Sequence, residues 1–322
     1  MRFSLSERMA VYTHLSHDEL QALAARYGFG PLQRADGIAE GVENSNFLIE
    51  DAARRAILTV FEKRVAADEL PFFMTLMQHL SAEGVPCPTP LLHDGGKALS
   101  EAQGKPVCVV SFLEGKSKMR VSVDDCRALG AAMARMHLAG QSAPMARAND
   151  LSLAGWQTLF AKIEARLEDL QTGLRALIAQ ELTQLQAQWP SDLPRGIIHA
   201  DLFPNNVFFD EASGALSGII DFYFACEDVL AYDIAICLNC WCFDEGETVY
   251  NCAKAGAMLA GYESVRTLSD AERKALPLLA RGAALRFLLT RAHDVIYHDE
   301  NALVEPHDPM EYVQKLAYWK TQ

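Results

Sequence analysis

The chain is expected to fold as an α+β protein of two lobes, an antiparallel-sheet lobe over residues 1–112 and a mainly helical lobe over 113–322. Three observations lead there. Between Asp36 and Val60, short apolar runs alternate with turn residues, which is hairpin grammar. Beyond Gly115 the apolar spacing turns helical and stays so almost to the end. Within that helical tract, Gly196 to Asp221 stands apart as two apolar, strand-like runs around a polar loop. A strand-rich first third followed by helices describes an α+β fold, and 322 residues are enough for two separate cores.

Taken in order, Ser16-His-Asp-Glu19 is a capping box, followed by Leu20, Leu23, Ala24 and Tyr27 on one face and Gly28 as a stop. The residues before it read as a weakly anchored arm. Gly37 to Asn46 reads as a polar turn, with Phe47-Leu-Ile and Ala56 to Val60 as strands. Asp68-Glu69-Leu-Pro71 opens a helix through Ala82 with Phe72, Phe73, Leu76, Met77 and Leu80 on its apolar side. Pro86, Pro88 and Pro90 force an extended segment, and Val107 to Phe112 is a continuous apolar strand. Ser122 caps a helix that turns Leu129, Met133, Met136 and His137 inward, and His137 reads as a satisfied core histidine. A long pattern from Leu153 to Trp189 breaks near Gly173. After Asp221 the reading is helical, over Val229–Phe243, Thr248–Tyr262, Ser269–Tyr297 and a short piece beyond Pro309.

Composition narrows the partners. A net charge of −13 argues against nucleic acid or an anionic membrane surface, since either needs a basic face. No apolar run reaches the ~18 residues of a membrane span, and the N-terminus lacks a signal-peptide core, so a cytoplasmic protein is expected. Eight cysteines in such a chain read as reduced thiols. Cys237, Cys240 and Cys242 lie in an apolar helical run with no second pair to complete a metal site, and read as buried thiols.

The chemistry concentrates in Gly-Ile-Ile-His199-Ala-Asp201-Leu-Phe-Pro-Asn-Asn206 and in Ile220-Asp221-Phe222. This is the H-x-D-x-x-x-x-N spacing of a phosphoryl-transfer loop, followed by the metal-binding Asp of a D-F-x element. A carboxylate is needed beside the attacking hydroxyl, and oxygen ligands are needed for Mg²⁺. Asp201 fits the first role, Asn206 and Asp221 the second, and His199 reads as a brace of the loop. The bland reading, a hairpin with polar loop residues, does not account for a second Asp at the next strand end.

These motifs resemble the aminoglycoside/choline kinase superfamily of protein-kinase-like fold. More narrowly, Glu43-Asn44-Ser45-Asn46, Leu58-Thr59-Val-Phe-Glu62-Lys63, Leu70-Pro-Phe-Phe73, Ile220 to Cys226, Tyr232-Asp233-Ile-Ala-Ile-Cys237 and Arg286 to Arg291 resemble its bacterial homoserine kinase branch. The resemblance spans about Val11 to Lys315. It implies ATP and Mg²⁺ as cofactors and the hydroxyl of L-homoserine as acceptor, with the product feeding threonine synthesis. It also implies Asp233 as a structural brace of the catalytic loop, Asn44, Ser45 and Asn46 in a flap over the phosphates, and Phe112 and Leu113 beside adenine. One departure stands out: Thr59 occupies the strand position where such enzymes carry an ATP-binding Lys. Lys63, or one of Arg54, Arg55 and Arg64, is the expected substitute, with Glu69 or Glu62 as its partner. For a zwitterionic substrate, Glu227 and Asp228 are candidates for the ammonium and Arg286 for the carboxylate, with Tyr223 and Tyr232 as walls. For Arg286 and Arg291 a buried structural ion pair competes with substrate contact. Sister kinases acting on choline, aminoglycosides or methylthioribose, and an inactive nucleotide-binding scaffold, remain the alternatives.

Overall fold

The first helix forms where its cap dictates. The structure, a computed structural model, describes residues 13–38, 44–62, 66–244, 249–298 and 305–322. They divide into two compact units, one ending at Glu114 and the other beginning at Gly115. In the first unit Ser16 and Glu19 close a full capping box on α1 (His17–Arg26). Five antiparallel strands follow: β1 (Arg34–Ile38), β2 (Ser45–Glu50), β3 (Arg55–Val60), β4 (Leu99–Ala102) and β5 (Lys105–Ser111), in the order β1-β2-β3-β5-β4. Strand alternation sends Phe47, Ile49, Ala56, Leu58, Val60, Val107 and Val109 to one face, where Leu20, Leu23, Ala24 and Tyr27 cover them. Asn46 pairs with Thr59 across β2 and β3, so both fall on the other face. Between β3 and β4, α2 (Leu70–Ala82) starts with Pro71 in its first turn and buries Leu70, Phe72, Phe73, Leu76, Met77 and Leu80.

Two differences from the sequence reading have local causes. The strand β2 begins at Ser45, inside the expected polar turn, because the Ser45 hydroxyl is buried on Glu62 (2.7 Å). The edge strand β4 was not expected. It is four residues long and half exposed, and its signal is the two-residue Gln103-Gly104 turn, with φ of 50° and 75°.

The second unit holds α3 (Val123–Gly140), α4 (Leu153–Ile163), a 3-10 turn at Glu164–Arg166, α5 (Leu167–Leu170) and α6 (Leu174–Gln188). The break at Gly173 is where the sequence places it, and the turn at 164–166 adds a second. Next come β6 (Arg195–Ile198), β7 (Val207–Phe209), β8 (Leu216–Ile219) and β9 (Cys226–Val229), paired as β6-β9 and β7-β8. The helices α7 (Leu230–Trp241), α8 (Cys252–Glu263), α9 (Asp270–Ile296) and α10 (Met310–Trp319) complete it. The sequence pattern after Asp221 points directly to a helix, whereas the structure places β9 before it. Its Cys-Glu-Asp-Val run has poor strand propensity and is extended because Glu227 and Cys226 register with Ile197 and Ile198. The α8 helix starts at Cys252, where the Asn251 side chain accepts the Ala253 and Lys254 N–H groups.

The helices α3 and α8 meet backbone to backbone. A Cβ on Gly130 would stand 2.0 Å from the Met258 carbonyl oxygen, and one on Gly261 would stand 2.0 Å from that of Arg127. Only glycine allows this approach. Gly130→Ala is expected to destabilise the protein by about 1–3 kcal/mol through overpacking. Chemical denaturation checks it, and an unchanged midpoint would mean the helices are not this close.

Candidate active site

The site is built on a buried carboxylate. Asp233, in the first turn of α7, accepts the His199 N–H at 2.8 Å and the Ala200 N–H at 2.7 Å. His137 Nε2 donates to the same carboxylate at 3.1 Å, and His137 Nδ1 accepts the Tyr262 hydroxyl at 2.8 Å. His137 is thus the satisfied core histidine its helical face suggests. Burial alone would raise the Asp233 pKa, but the hydrogen bonds from His137 and from the His199 backbone outweigh it and hold the carboxyl below its ordinary range.

His199 carries the constraint onward. Its Nε2 bonds the Ile220 carbonyl oxygen at 2.9 Å and its Nδ1 accepts the Asp201 N–H at 3.2 Å. A carbonyl only accepts and an N–H only donates, so the ring is the neutral Nε2–H tautomer. Ile220 in turn donates its N–H to the Asn206 carbonyl oxygen at 2.9 Å. Asn206 Nδ2 reaches the Asp201 carbonyl oxygen at 2.8 Å and its carboxylate at 3.2 Å. Asp201, Asn206 and the Ile220 backbone are therefore joined in one hydrogen-bonded cluster, with Asp221 next along the chain.

Ala200 and Asp221 have φ of 63° and 65°, in the left-handed region. For residues with a Cβ this costs roughly 1–3 kcal/mol each and persists only where the surroundings enforce it. Behind the loop, the Leu202 carbonyl oxygen accepts Trp241 Nε1–H at 2.7 Å, and Phe203 packs edge-on against Phe287. Pro204 opens a 3-10 turn through Asn206.

In the first unit, the nucleotide candidates sit around the start of β2. The Asn44 side chain accepts the Glu62 N–H at 3.3 Å. Ser45 is fully buried on the α1 face and accepts the Thr13 N–H, so its hydroxyl is committed to the fold. Thr59, at the position of the missing Lys, donates to Asn46 Oδ1 at 2.8 Å. Glu62 is ion-paired with Lys105. Arg54 is engaged by the Tyr27 carbonyl and the Phe29 ring, and Arg55 by Glu114 and the Phe112 ring. Lys63 and Arg64 lie outside the described residues. Glu69 is the N-cap of α2, and Phe112 and Leu113 are half-buried just after β5.

The five substrate candidates do not converge. Tyr223 lies in the 3-10 turn (Phe222–Phe224) directly after Asp221. Glu227 is exposed and lines an open pocket of about 510 Å³ with Gln141, Met145 and Arg195. That pocket is at the start of β6, whereas Asp201 follows its end. Asp228 is already satisfied by Arg195 (3.1 Å), Asn149 (2.7 Å) and the Val229 N–H (2.7 Å), which leaves it little capacity for an ammonium. Tyr232 packs between Trp156 and Trp189 with 1% of its surface exposed, so it forms core and not a pocket wall. Arg291 makes the expected structural pair, with Glu311 at 2.5 Å. Arg286 does not: it is buried and donates to the Ala200 carbonyl oxygen.

Comparison with known proteins identifies the class. A model of the phosphotransferase enzyme family matches residues 34–268, and the chain belongs to that family. The homoserine kinase of Paramagnetospirillum magneticum is 54% identical over 314 residues, which is 96% of this chain and 96% of that protein. The homoserine kinase of Rhodopseudomonas palustris is 54% identical over 311 residues, 96% of this chain and 94% of that one. Within the family the chain therefore groups with the homoserine kinases. Among solved structures, the amicoumacin kinase bound to AMP-PNP and Ca²⁺ superposes with a TM-score of 0.67 at 18% identity, covering 96% of this chain and 92% of that one. A spectinomycin phosphotransferase bound to ADP gives 0.66 at 13% identity, with 96% and 95% covered. The fold is thus the protein-kinase-like α+β fold that the sequence predicts. No helix among the described residues is long and apolar enough to cross a membrane.

Burial pushes the His199 pKa below the usual histidine value, against the pull of Asp233 and Asp201. Its stabilisation is complete above the unfolded pKa of about 6.5 and is lost as pH falls from there toward the folded pKa. Protonating Nδ1 would also remove the acceptor of the Asp201 N–H. Unfolding free energy is expected to decline below pH ~6.5, by at most about 1.4 kcal/mol per pH unit from this group. In His199→Gln that part of the slope disappears; parallel pH profiles for the two proteins would refute a neutral His199.

Proposed function

We propose that this chain transfers the γ-phosphoryl group of ATP to the side-chain hydroxyl of L-homoserine, yielding O-phospho-L-homoserine and ADP in the cytoplasm. The observation that carries the reading is the hydrogen-bonded cluster of Asp201, Asn206 and the Ile220–Asp221 strand end, in a chain 54% identical to homoserine kinases. Asp201 orients the hydroxyl and takes its proton as the oxygen bonds to γ-phosphorus and the bond to the β–γ bridging oxygen breaks.

The donor set fits Mg²⁺. The Asn206 N–H₂ group is spent on Asp201, which leaves its Oδ1 as a neutral oxygen ligand, and Asp221 adds a carboxylate. Among the described residues no group of three or more His, Cys, Asp or Glu is placed to hold a metal. Two protein oxygens with the phosphates completing the shell is the arrangement that Mg²⁺-nucleotide sites use. Bound there, the ion supplies charge neutralisation on the transferring phosphoryl group.

On the nucleotide side, Asn44 and Asn46 are the proposed flap contacts. Thr59 occupies the Asn46 acceptor, which leaves the amide N–H₂ group for a phosphate oxygen. Lys63 is the proposed replacement cation, with Glu69 as its helix partner, and Phe112 and Leu113 meet adenine. Ser45 contributes by anchoring the start of β2. Tyr223, directly after Asp221, is the proposed substrate wall; Glu227, in the pocket at the start of β6, is not carried forward as the ammonium partner.

A coupled ADP-release assay tests the substrate: turnover of homoserine should far exceed that of choline, kanamycin or methylthioribose, and preference for any of these would overturn the assignment. Asp201→Asn is expected to lower kcat by about 10²–10⁴; a fully active variant would remove Asp201 from the mechanism. Lys63→Met is expected to raise the KM for ATP, and an unchanged value would transfer the role to backbone N–H groups and Mg²⁺.

A further inference from the structure

Ala200 precedes the proposed base and is one of three non-glycine residues with positive φ among those described. Both of its backbone polar groups are held by buried side chains. Asp233 takes the N–H, and Arg286 donates Nη1–H to the carbonyl oxygen.

Arg286 comes from the middle of α9, 86 residues along the chain, and is 2% exposed. Its guanidinium lies over the rings of Phe287 (4.3 Å) and Phe224 (5.5 Å). Among the described residues its Nε has no hydrogen-bond partner. A buried guanidinium is costly unless its donors are met. The oxygen it reaches belongs to the residue whose backbone is in the strained conformation.

We propose that Arg286 is a positioning residue for phosphoryl transfer: its bond to the Ala200 carbonyl holds the left-handed turn that aims Asp201. The proposal rests on the reading of Asp201 as the base. The geometry explains why a charged donor is used. Holding a carbonyl oriented against the preference of an L-residue calls for a strong, directional bond, and charge-assisted bonds are about twice as strong as neutral ones. A substrate-contacting Arg would act differently, through the substrate carboxylate and hence through binding.

The test is a double-mutant cycle on the full chain with Arg286→Met, Ala200→Gly and their combination, read as kcat and KM for homoserine and ATP. Arg286→Met is expected to lower kcat about 100-fold, the scale of a misplaced catalytic group, with the KM for homoserine changed less than about threefold. Adding Ala200→Gly is expected to recover about tenfold in kcat, because glycine adopts this turn without the Cβ penalty. A rise in homoserine KM of about tenfold or more, with no recovery on adding glycine, would overturn the proposal in favour of substrate contact. So would undiminished kcat in Arg286→Met. If that variant does not fold, Arg286→Gln with the same glycine partner is read by the same criteria, since it removes the charge while keeping a polar side chain of similar width. Full activity in Asp201→Asn would instead defeat the underlying assignment of the base.

Discussion

The second unit depends on one desolvated carboxylate. Asp233 is fully buried, and a buried charge is tolerable only when its oxygens are saturated with donors. Those donors come from the His199 and Ala200 backbone and from His137 on α3, so satisfying Asp233 ties the end of β6 to two helices. Hydrogen bonds to a charged group contribute roughly 1.5–3 kcal/mol each, against roughly 1–3 kcal/mol for a left-handed non-glycine residue. Two such bonds at His199 and Ala200 outweigh the strain at Ala200. The turn at Asp201 is therefore a consequence of how the core is neutralised.

The first unit shows the complementary case, in which the expected charge is absent. With Thr59 where a Lys belongs, the strand face offers Asn46 held by Thr59. The nearby described cations are already engaged: Lys105 by Glu62, Arg54 by a carbonyl and a ring, Arg55 by Glu114. In a chain of net charge −13, the attraction for a nucleotide that the proposed function requires must be local. The face around Thr59 offers one neutral, oriented donor, the Asn46 amide, whose contribution depends on geometry more than on long-range field.

What the sequence made legible was what local chemistry encodes. The capping boxes at Ser16 and Ser122 start their helices, and the alternation through Phe47 and Ile49 sets the core face of the sheet. The spacing of His199, Asp201 and Asn206 picks out residues that share hydrogen bonds, and the Ile220 backbone they also bond lies next to Asp221. The illegible part was long-range. The strand β9 owes its extension to β6, about thirty residues earlier, and Tyr232 is removed from any pocket by Trp156 and Trp189. Arg286 could be read as an ion-pair member or a substrate ligand because nothing near it in sequence identifies a carbonyl 86 residues away.

The same bonds explain why this loop needs little ordering when a substrate arrives. From His199 to Phe203 nearly every backbone polar group has a fixed partner. Asp233 holds the first two N–H groups, Arg286 the Ala200 oxygen and His199 the Asp201 N–H. The Asp201 oxygen takes both the Phe203 N–H and Asn206, and the Leu202 oxygen takes Trp241. Groups held this way are oriented during folding, and their ordering cost does not recur at each turnover. A carboxylate on a loose loop would have to be immobilised each time, losing part of the advantage that proximity confers. The unusual backbone at Ala200 is thus offset once, by the core, and the proposed proton acceptor next to it is already in place.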